Sequence, residues 1–283
     1  MIGVRANSNL RSRVTVAVVA ALAVAAVVIV LVVRENRQQA EHEAAVSDWD
    51  TQFASWESDR LAGIGAGVAL PDGAVSLSDA VGGTALRPAW PDAADPDSSA
   101  DSLDEVNTAC TALTAYAESV DVAPEPPAPP TDLELTDQDR APFERGSAAL
   151  ADLRSAVSEP ISAIRQFCGT YPALILAHGT TDGAEANQAV ADALAVQCPV
   201  PTLEATCTAT AGAARALGGQ SPNMATDQSL WASAVVDSGE VDANAADTGA
   251  VETAVAAVVT SHLAGLEQQV DEAVAVFGAE LGQ

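Results

Sequence analysis

Twenty consecutive residues near the start of the chain, 14–33, contain no charged, amide or proline side chain: VTVAVVAALAVAAVVIVLVV. A helix of this length spans roughly 30 Å, the thickness of a bilayer's hydrocarbon core. Thirteen of the twenty are Val, Leu or Ile, which together favour insertion by roughly 4–8 kcal/mol. Valine disfavours helix in water, but in lipid every backbone hydrogen bond must be made within the segment. The sequence therefore predicts a transmembrane helix at 14–33.

The alternative for this segment is a cleaved secretory signal. Such a signal usually has an apolar region of about 7–15 residues that ends at a small-x-small cleavage site. The run here is longer, and the RENRQQAEHEAA that follows offers no good site, because Gln38 stands two before Ala40 and Glu43 two before Ala45. No cysteine follows the run for lipid attachment. We therefore predict an uncleaved anchor.

The charges flanking the apolar segment set its orientation. Arg5, Arg11 and Arg13 precede it, whereas basic and acidic residues are mixed after it. By the positive-inside rule, residues 1–13 form a cytoplasmic tail and the chain beyond residue 33 lies outside the cytoplasm. The predicted localisation is the cell membrane, single-pass, with an extracytoplasmic C-terminal domain. A tail of this length is too short to fold.

The remainder of the chain is strongly acidic. Residues 1–37 hold five arginines and one glutamate, a net charge of +4, while the rest holds seven arginines and 38 acids, a net charge of −31. The chain contains no lysine. A surface this acidic repels nucleic acid and anionic lipid headgroups, so we predict no nucleic-acid partner.

Four cysteines lie in the predicted extracytoplasmic part, an even number in a compartment that permits disulfides. They contain no C-x-x-C pair and the three histidines are far apart, so a structural zinc site fits poorly. Four cysteines can pair in three ways. An antiparallel helical bundle favours bonds between the first and second cysteines and between the third and fourth. The predicted disulfides join Cys110 to Cys168 and Cys198 to Cys207.

Residues 34–61 are predicted to continue as a juxtamembrane helical stalk. Ala45, Trp49, Phe53 and Trp56 follow one another at spacings of 4, 4 and 3, which places them on one helix face. Two interpretations are open. The aromatic stripe either mediates self-association or binding of a protein partner, or packs on the chain's own domain.

Residues 62–100 are rich in Gly, Pro and Asp and form a predicted connecting segment. Pro71-Asp72-Gly73 supplies turn chemistry for a small hairpin. Asp95, Asp97 and Asp101 are spaced like calcium ligands, but the Gly and Glu that an EF-hand requires are missing. We interpret this stretch as a solvated loop and predict no metal site.

Residues 101–283 are predicted to form an α-helical ectodomain, so the fold class is mainly α: one N-terminal transmembrane helix followed by a disulfide-stabilised helical bundle. Residues 122–132 contain five prolines and interrupt it as a stiff connector. The clearest helix repeats Phe143, Leu150, Val157 and Ile164 every seven residues, which favours helix-on-helix packing. Further helices are expected over 183–198, 202–217, 228–236 and 249–281, the last with the stripe Val251, Val255, Val258, His262, Leu266, Val270, Val274, Phe277 and Leu281.

The stretch YPALILAHGTTDG, 171–183, resembles part of an active site, because a His-Gly turn after an apolar run occurs beside the oxyanion hole of α/β-hydrolases. Such an enzyme also needs a parallel sheet and a G-x-S-x-G elbow, and neither pattern occurs here. Helix punctuation explains the stretch instead: Thr170 caps a short helix, Gly179 ends it, and Asp182 caps the next. We predict no catalytic residue, including His178, and no cofactor.

The sequence thus favours a non-enzymatic, membrane-anchored interaction or scaffold protein of the cell envelope. The alternative is an extracytoplasmic module that binds or senses a small ligand or a divalent cation, which the net charge of −31 would favour.

Overall fold

The computed structural model describes the backbone of residues 8–83, 96–131, 135–179, 183–196, 198, 200–217 and 248–282. Side chains are described from residue 27 onward, except at 83, 96–102, 173–179, 248–256 and several positions between 183 and 217. The helices are α1 (Ser8–Gly63), α2 (Leu77–Gly83), α3 (Pro96–Asp121), α4 (Asp137–Gly179), α5 (Gly183–Val196), a 3₁₀ turn (Pro201–Leu203), α6 (Glu204–Leu217) and α7 (Thr248–Leu281).

The prediction of a mainly helical protein is confirmed, since the described backbone contains helices and loops but no strand. A turn does form at the predicted place, with Ala74 N donating to Pro71 O over 2.9 Å. Gly73 has a φ of 82°, which suits glycine because it lacks a Cβ. The flanking residues do not pair, so the expected hairpin is absent from this described loop.

Among the residues that the structure describes, no helix is both long and apolar enough to cross a membrane. The predicted span 14–33 falls within α1, but the side chains of residues 14–26 lie outside the described residues. The transmembrane helix is therefore not supported by the structure and stays a prediction.

The chain divides into two compact units. The first comprises Met1–Trp56 and Pro126–Phe143, and the second Glu57–Glu125 and Glu144–Gln283. In the first unit α4 begins with a capping box, in which Thr136 N donates to Asp139 Oδ2 (3.0 Å) and Asp139 N donates to Thr136 Oγ1 (3.3 Å). The Thr136 hydroxyl also donates to Asp139 Oδ2 (2.6 Å), and this bond, together with the one from Thr136 N, holds the pKa of Asp139 below its usual value.

The second unit is built around α3, α4 and α7. The predicted seven-residue pattern on α4 is reflected in burial: Leu150, Val157 and Ile164 are buried in this unit, whereas Phe143, which belongs to the first unit, is half-buried. On α7 the buried face includes Val259 and Leu263, not the predicted neighbours at 258 and 262, which are half-buried. The remaining buried side chains of this face are Leu266, Val270, Val274, Phe277 and Leu281.

Both predicted disulfides are present in the second unit. Cys110–Cys168 joins α3 to α4 with a Cα–Cα distance of 5.7 Å, and Cys198–Cys207 joins the turn after α5 to α6 with a distance of 5.6 Å. Both distances fall in the ordinary range for disulfides. The helices on either side are therefore covalently tied at two places.

Arg154 fastens the end of α3 to α4. Its guanidinium donates to Val120 O (3.3 Å), to Ala123 O (2.6 Å) and to Glu125 Oε1 (2.5 Å). The two carbonyls lie at and just beyond the C-terminus of α3, where backbone acceptors lack helical donors. One arginine in the middle of α4 thus supplies hydrogen-bond donors to the backbone carbonyls at the end of α3.

The expected break at Thr170 does not occur. α4 continues through Pro160, Thr170 and Pro172 to Gly179, and Thr170 Oγ1 donates to Gln166 O over 3.2 Å. A threonine hydroxyl can bond the carbonyl four residues earlier as readily as it can cap a new helix. The prediction of a separate short helix after residue 170 is therefore wrong.

Candidate functional site

The aromatic stripe of α1 is covered by its own chain. Trp49, Phe53 and Trp56 are all buried, and Trp49 Nε1 donates to Pro127 O over 2.8 Å. Their ring centroids are 6.4 Å apart for Trp49 and Phe53 and 5.5 Å apart for Phe53 and Trp56. The proline-rich segment therefore has a packing role within the first unit. In this conformation the stripe offers little surface to a partner.

We expect Trp49→Phe to lower the free energy of unfolding by about 1–3 kcal/mol, because it removes the hydrogen bond to Pro127 O and part of a buried ring. Chemical denaturation of the full chain in a mild detergent measures the change. A variant as stable as the wild type would show that this bond contributes nothing to the first unit.

A groove runs between α4 and α7 in the second unit. Its lining residues recur at helical spacing on both helices, so each helix contributes one face. On α4 these are Ala149, Asp152, Leu153 and Ala156, and on α7 Gln269, Glu272, Ala273, Val276, Phe277 and Glu280. The alanines leave a cleft of about 330 Å³ above the buried Leu153 and Phe277.

Acidic side chains stand along the walls of this groove. Asp152 lies on α4, and Glu272 and Glu280 lie on α7. Among the described residues the ion pairs are Arg154–Glu125 and Arg165–Asp121, so no described arginine neutralises the groove. Between the acids, Val276 keeps 55% of its surface exposed. The groove therefore combines an apolar floor with unneutralised negative walls.

A second cavity, of about 340 Å³, lies among α2, α3, α7 and the loop before α2. Its lining mixes apolar and polar side chains: Val68, Leu70, Leu113, Ala264, Val270, Ser76, Ser78, Glu267, Gln268 and Asp271. Tyr116 on α3 does not line this cavity, and its hydroxyl is buried without a hydrogen-bond partner among the described residues. Burial, together with the negative charge of Asp271, raises the pKa of Tyr116 to about 12.

Glu267, which lines this cavity, forms hydrogen bonds with the first residues of α2. One carboxylate oxygen accepts from Leu77 N over 2.7 Å, and the other accepts from the backbone N (3.2 Å) and hydroxyl (2.5 Å) of Ser78. It therefore caps the start of α2 from a helix 190 residues later in the sequence. No short-range sequence signal could have identified this contact.

His262 on α7 has a buried Nε2 without a partner among the described residues. Burial lowers its pKa, because the charged imidazolium loses solvation. The folded state therefore binds fewer protons than the unfolded state just below the ordinary histidine pKa of about 6.5. The neutral His262 imidazole therefore costs the folded state nothing above about pH 6.5. As the pH falls from there through the lowered pKa, the free energy of unfolding decreases.

We expect His262→Gln to remove this part of the pH dependence. The difference in unfolding free energy between wild type and variant should be constant above about pH 7 and should move in favour of the variant as the pH falls below about 6.5. Denaturation curves at several pH values measure it. A difference that is independent of pH would contradict the prediction.

Several sequence predictions fall outside the described residues. These are the side chain of His178, Asp95 of the predicted loop, and the short helix at 228–236. The loop prediction is wrong at Asp97 and Asp101, because the backbone there already belongs to α3, which begins at Pro96, a residue suited to the first turn of a helix. Within the part of the chain whose side chains are described, no three His, Cys, Asp or Glu side chains come together in a group suited to a metal ion. Neither the groove nor the second cavity was anticipated, because each combines residues more than 100 positions apart.

Comparison with known proteins gave no relative: the chain matches no family model, no curated protein and no solved structure.

Proposed function

We propose that this protein is a non-enzymatic interaction or scaffold module of the cell envelope, anchored by residues 14–33 with its acidic helical domain outside the cytoplasm. The observation that carries the proposal is the exposure of α1. Every residue from Val27 to Val33 keeps between 46% and 64% of its surface exposed. Seven consecutive large apolar side chains on all sides of a helix need an apolar environment that the described chain does not supply.

The cysteines support an extracytoplasmic location. All four are paired, and none is free. Disulfides persist outside the cytoplasm and are rare inside it. The proposed orientation follows from the three arginines before the apolar segment, since basic and acidic residues are mixed after it.

An interaction role is supported by the groove between α4 and α7. Its exposed apolar wall and uncompensated carboxylates are more suited to a partner surface than to a catalytic centre. We propose this groove, in preference to the buried aromatic stripe at Trp49, Phe53 and Trp56, as the place where a protein partner binds.

The location is tested by the redox state of the cysteines in cells. Cells are lysed under denaturing conditions with a maleimide-coupled polyethylene glycol, with and without prior reduction. We expect no mass shift without reductant and four adducts after reduction. Four adducts without reductant would place the domain in a reducing compartment and contradict the proposal.

The interaction is tested by a photo-reactive amino acid placed at Val276 in intact cells. Amine-reactive crosslinkers are unsuited to this chain because it contains no lysine. The matched control is Val122, which is 78% exposed but lies outside the groove. We expect a discrete crosslinked product from position 276 and none from 122. No product from either position, or the same products from both, would count against a specific partner.

The second candidate is extracytoplasmic binding or sensing of a small ligand or a divalent cation. The second cavity favours it, because the carboxylates of Glu267 and Asp271 line it together with apolar side chains such as Leu113 and Val270. Millimolar calcium or a small alkylamine should then raise the thermal midpoint beyond the effect of sodium at equal ionic strength, and Asp271→Asn should abolish the rise. An unchanged midpoint with both probes would remove this candidate.

A further inference from the structure

We infer that the groove between α4 and α7 accommodates a short, positively charged amphipathic helix of a partner protein. This inference rests on the proposed interaction function and adds the chemistry of the partner. It follows from three properties of the groove: its length, its apolar floor and the sign of its walls.

The dimensions suit a helical segment. Lining residues on α7 run from Gln269 to Glu280, a distance of about 16 Å along the helix, and those on α4 run from Ala149 to Ala156, about 10 Å. A partner helix of two to three turns covers this length. Helices that bind in such grooves place anchors at positions i, i+3, i+4 and i+7.

The floor supplies the apolar contact. Ala149, Leu153, Ala273 and Phe277 form it, and the small alanine side chains leave room above the two larger ones. Val276 stands at the wall with 55% of its surface exposed. Leucine-sized anchors entering this space would cover apolar surface that the chain itself leaves in water.

The negative charge of the groove walls favours a partner with positive charge. Asp152 on one helix faces the same cleft as Glu272 and Glu280 on the other, so a bound helix lies between carboxylates on both sides. Arginine or lysine beside the partner's apolar anchors would pair with them. A second copy of this acidic chain would meet like charge, and so would an anionic membrane. A basic amphipathic helix is thus the occupant that both chemistry and shape favour.

The test uses a fluorescent 16-residue model helix with leucines on one face and arginines on the other. Anisotropy measures its binding to the full chain in nanodiscs of zwitterionic lipid, with empty nanodiscs as the blank. A peptide of the same composition but scrambled order lacks the apolar face. We expect the amphipathic peptide to bind at least tenfold more tightly than the scrambled one, and more weakly at high salt.

A groove variant, Asp152→Asn with Glu272→Gln and Glu280→Gln, should bind about tenfold more weakly, since each exposed pair contributes a fraction of the interaction. The matched control is Asp104→Asn with Glu105→Gln and Glu118→Gln, which removes the same charge from exposed positions of α3. We expect it to change binding less than twofold. Equal weakening by both variants, or equal binding of the two peptides, would overturn the inference.

Val276→Arg provides a second variant that alters the wall at an exposed position, with Val122→Arg as its control. Only the former should weaken peptide binding, and unchanged thermal midpoints show that both fold. Failure here is distinguishable from failure of the proposed function. Reduced cysteines in cells would refute the envelope location whatever the peptide does, whereas a Val276 crosslink without peptide binding would refute only the basic helix.

Discussion

Removing the Cys110–Cys168 disulfide by replacing both cysteines with alanine is expected to lower the free energy of unfolding by about 4 kcal/mol. The bond closes a loop with a sequence separation of 58 residues, and the chain entropy that a crosslink removes from the unfolded state grows with the logarithm of loop length. The same bond ties α3 to α4 in the second unit, where Cys110 is buried and Cys168 is half-buried. Chemical denaturation of the full chain in detergent, followed by circular dichroism, measures the loss.

The second disulfide is the matched control for this experiment. Cys198–Cys207 has a sequence separation of only 9 residues, so its removal should cost about 2.5 kcal/mol by the same relation. Two equal losses, or a larger loss at 198–207, would show that loop entropy does not determine the ranking.

Replacing Glu267 with alanine is expected to lower the free energy of unfolding by about 2–3 kcal/mol. The carboxylate accepts three hydrogen bonds from Leu77 and Ser78, and bonds to a charged group contribute more than neutral ones. Leu77 is fully buried and Ser78 is 7% exposed, so water replaces the lost acceptor poorly. Glu267→Gln should cost less, because one oxygen remains.

Glu159→Gln is the control for this substitution. Glu159 is an exposed acid on α4 and also loses one negative charge in the variant. We expect the free energy of unfolding of this variant to differ from that of the wild type by less than about 0.5 kcal/mol. If the two glutamine variants were equally stable, the capping of α2 by Glu267 would have no energetic role.

Much of the fold was predictable because it depends on local patterns. Apolar residues at helical spacing indicated most of the helices, and the even cysteine count with the expected bundle indicated both disulfides. The pairing succeeded because Cys198 and Cys207 flank one turn between two helices. Local patterns were less reliable at Thr170, where the same hydroxyl suits a cap or a helix interior.

The candidate sites were not predictable from patterns within one segment. The groove requires Asp152 and Glu272 on the same cleft, and the α2 cap requires Ser78 and Glu267 in contact. Each pair joins positions more than 100 residues apart. In a chain with 39 acidic residues, no single carboxylate is conspicuous until its neighbours in space are known.

The amino-acid sequence by itself determined the helical class, the segregation of charge and the apolar character of residues 14–33, because each depends on side chains that are neighbours along the chain. Tertiary structure alone decided that the aromatic stripe is buried within its own chain, with Trp49 bonded to Pro127 O, and that Asp152 and Glu272 border one groove. The physical reason is that helical periodicity specifies which side chains share a face, whereas the packing of whole helices specifies which faces meet.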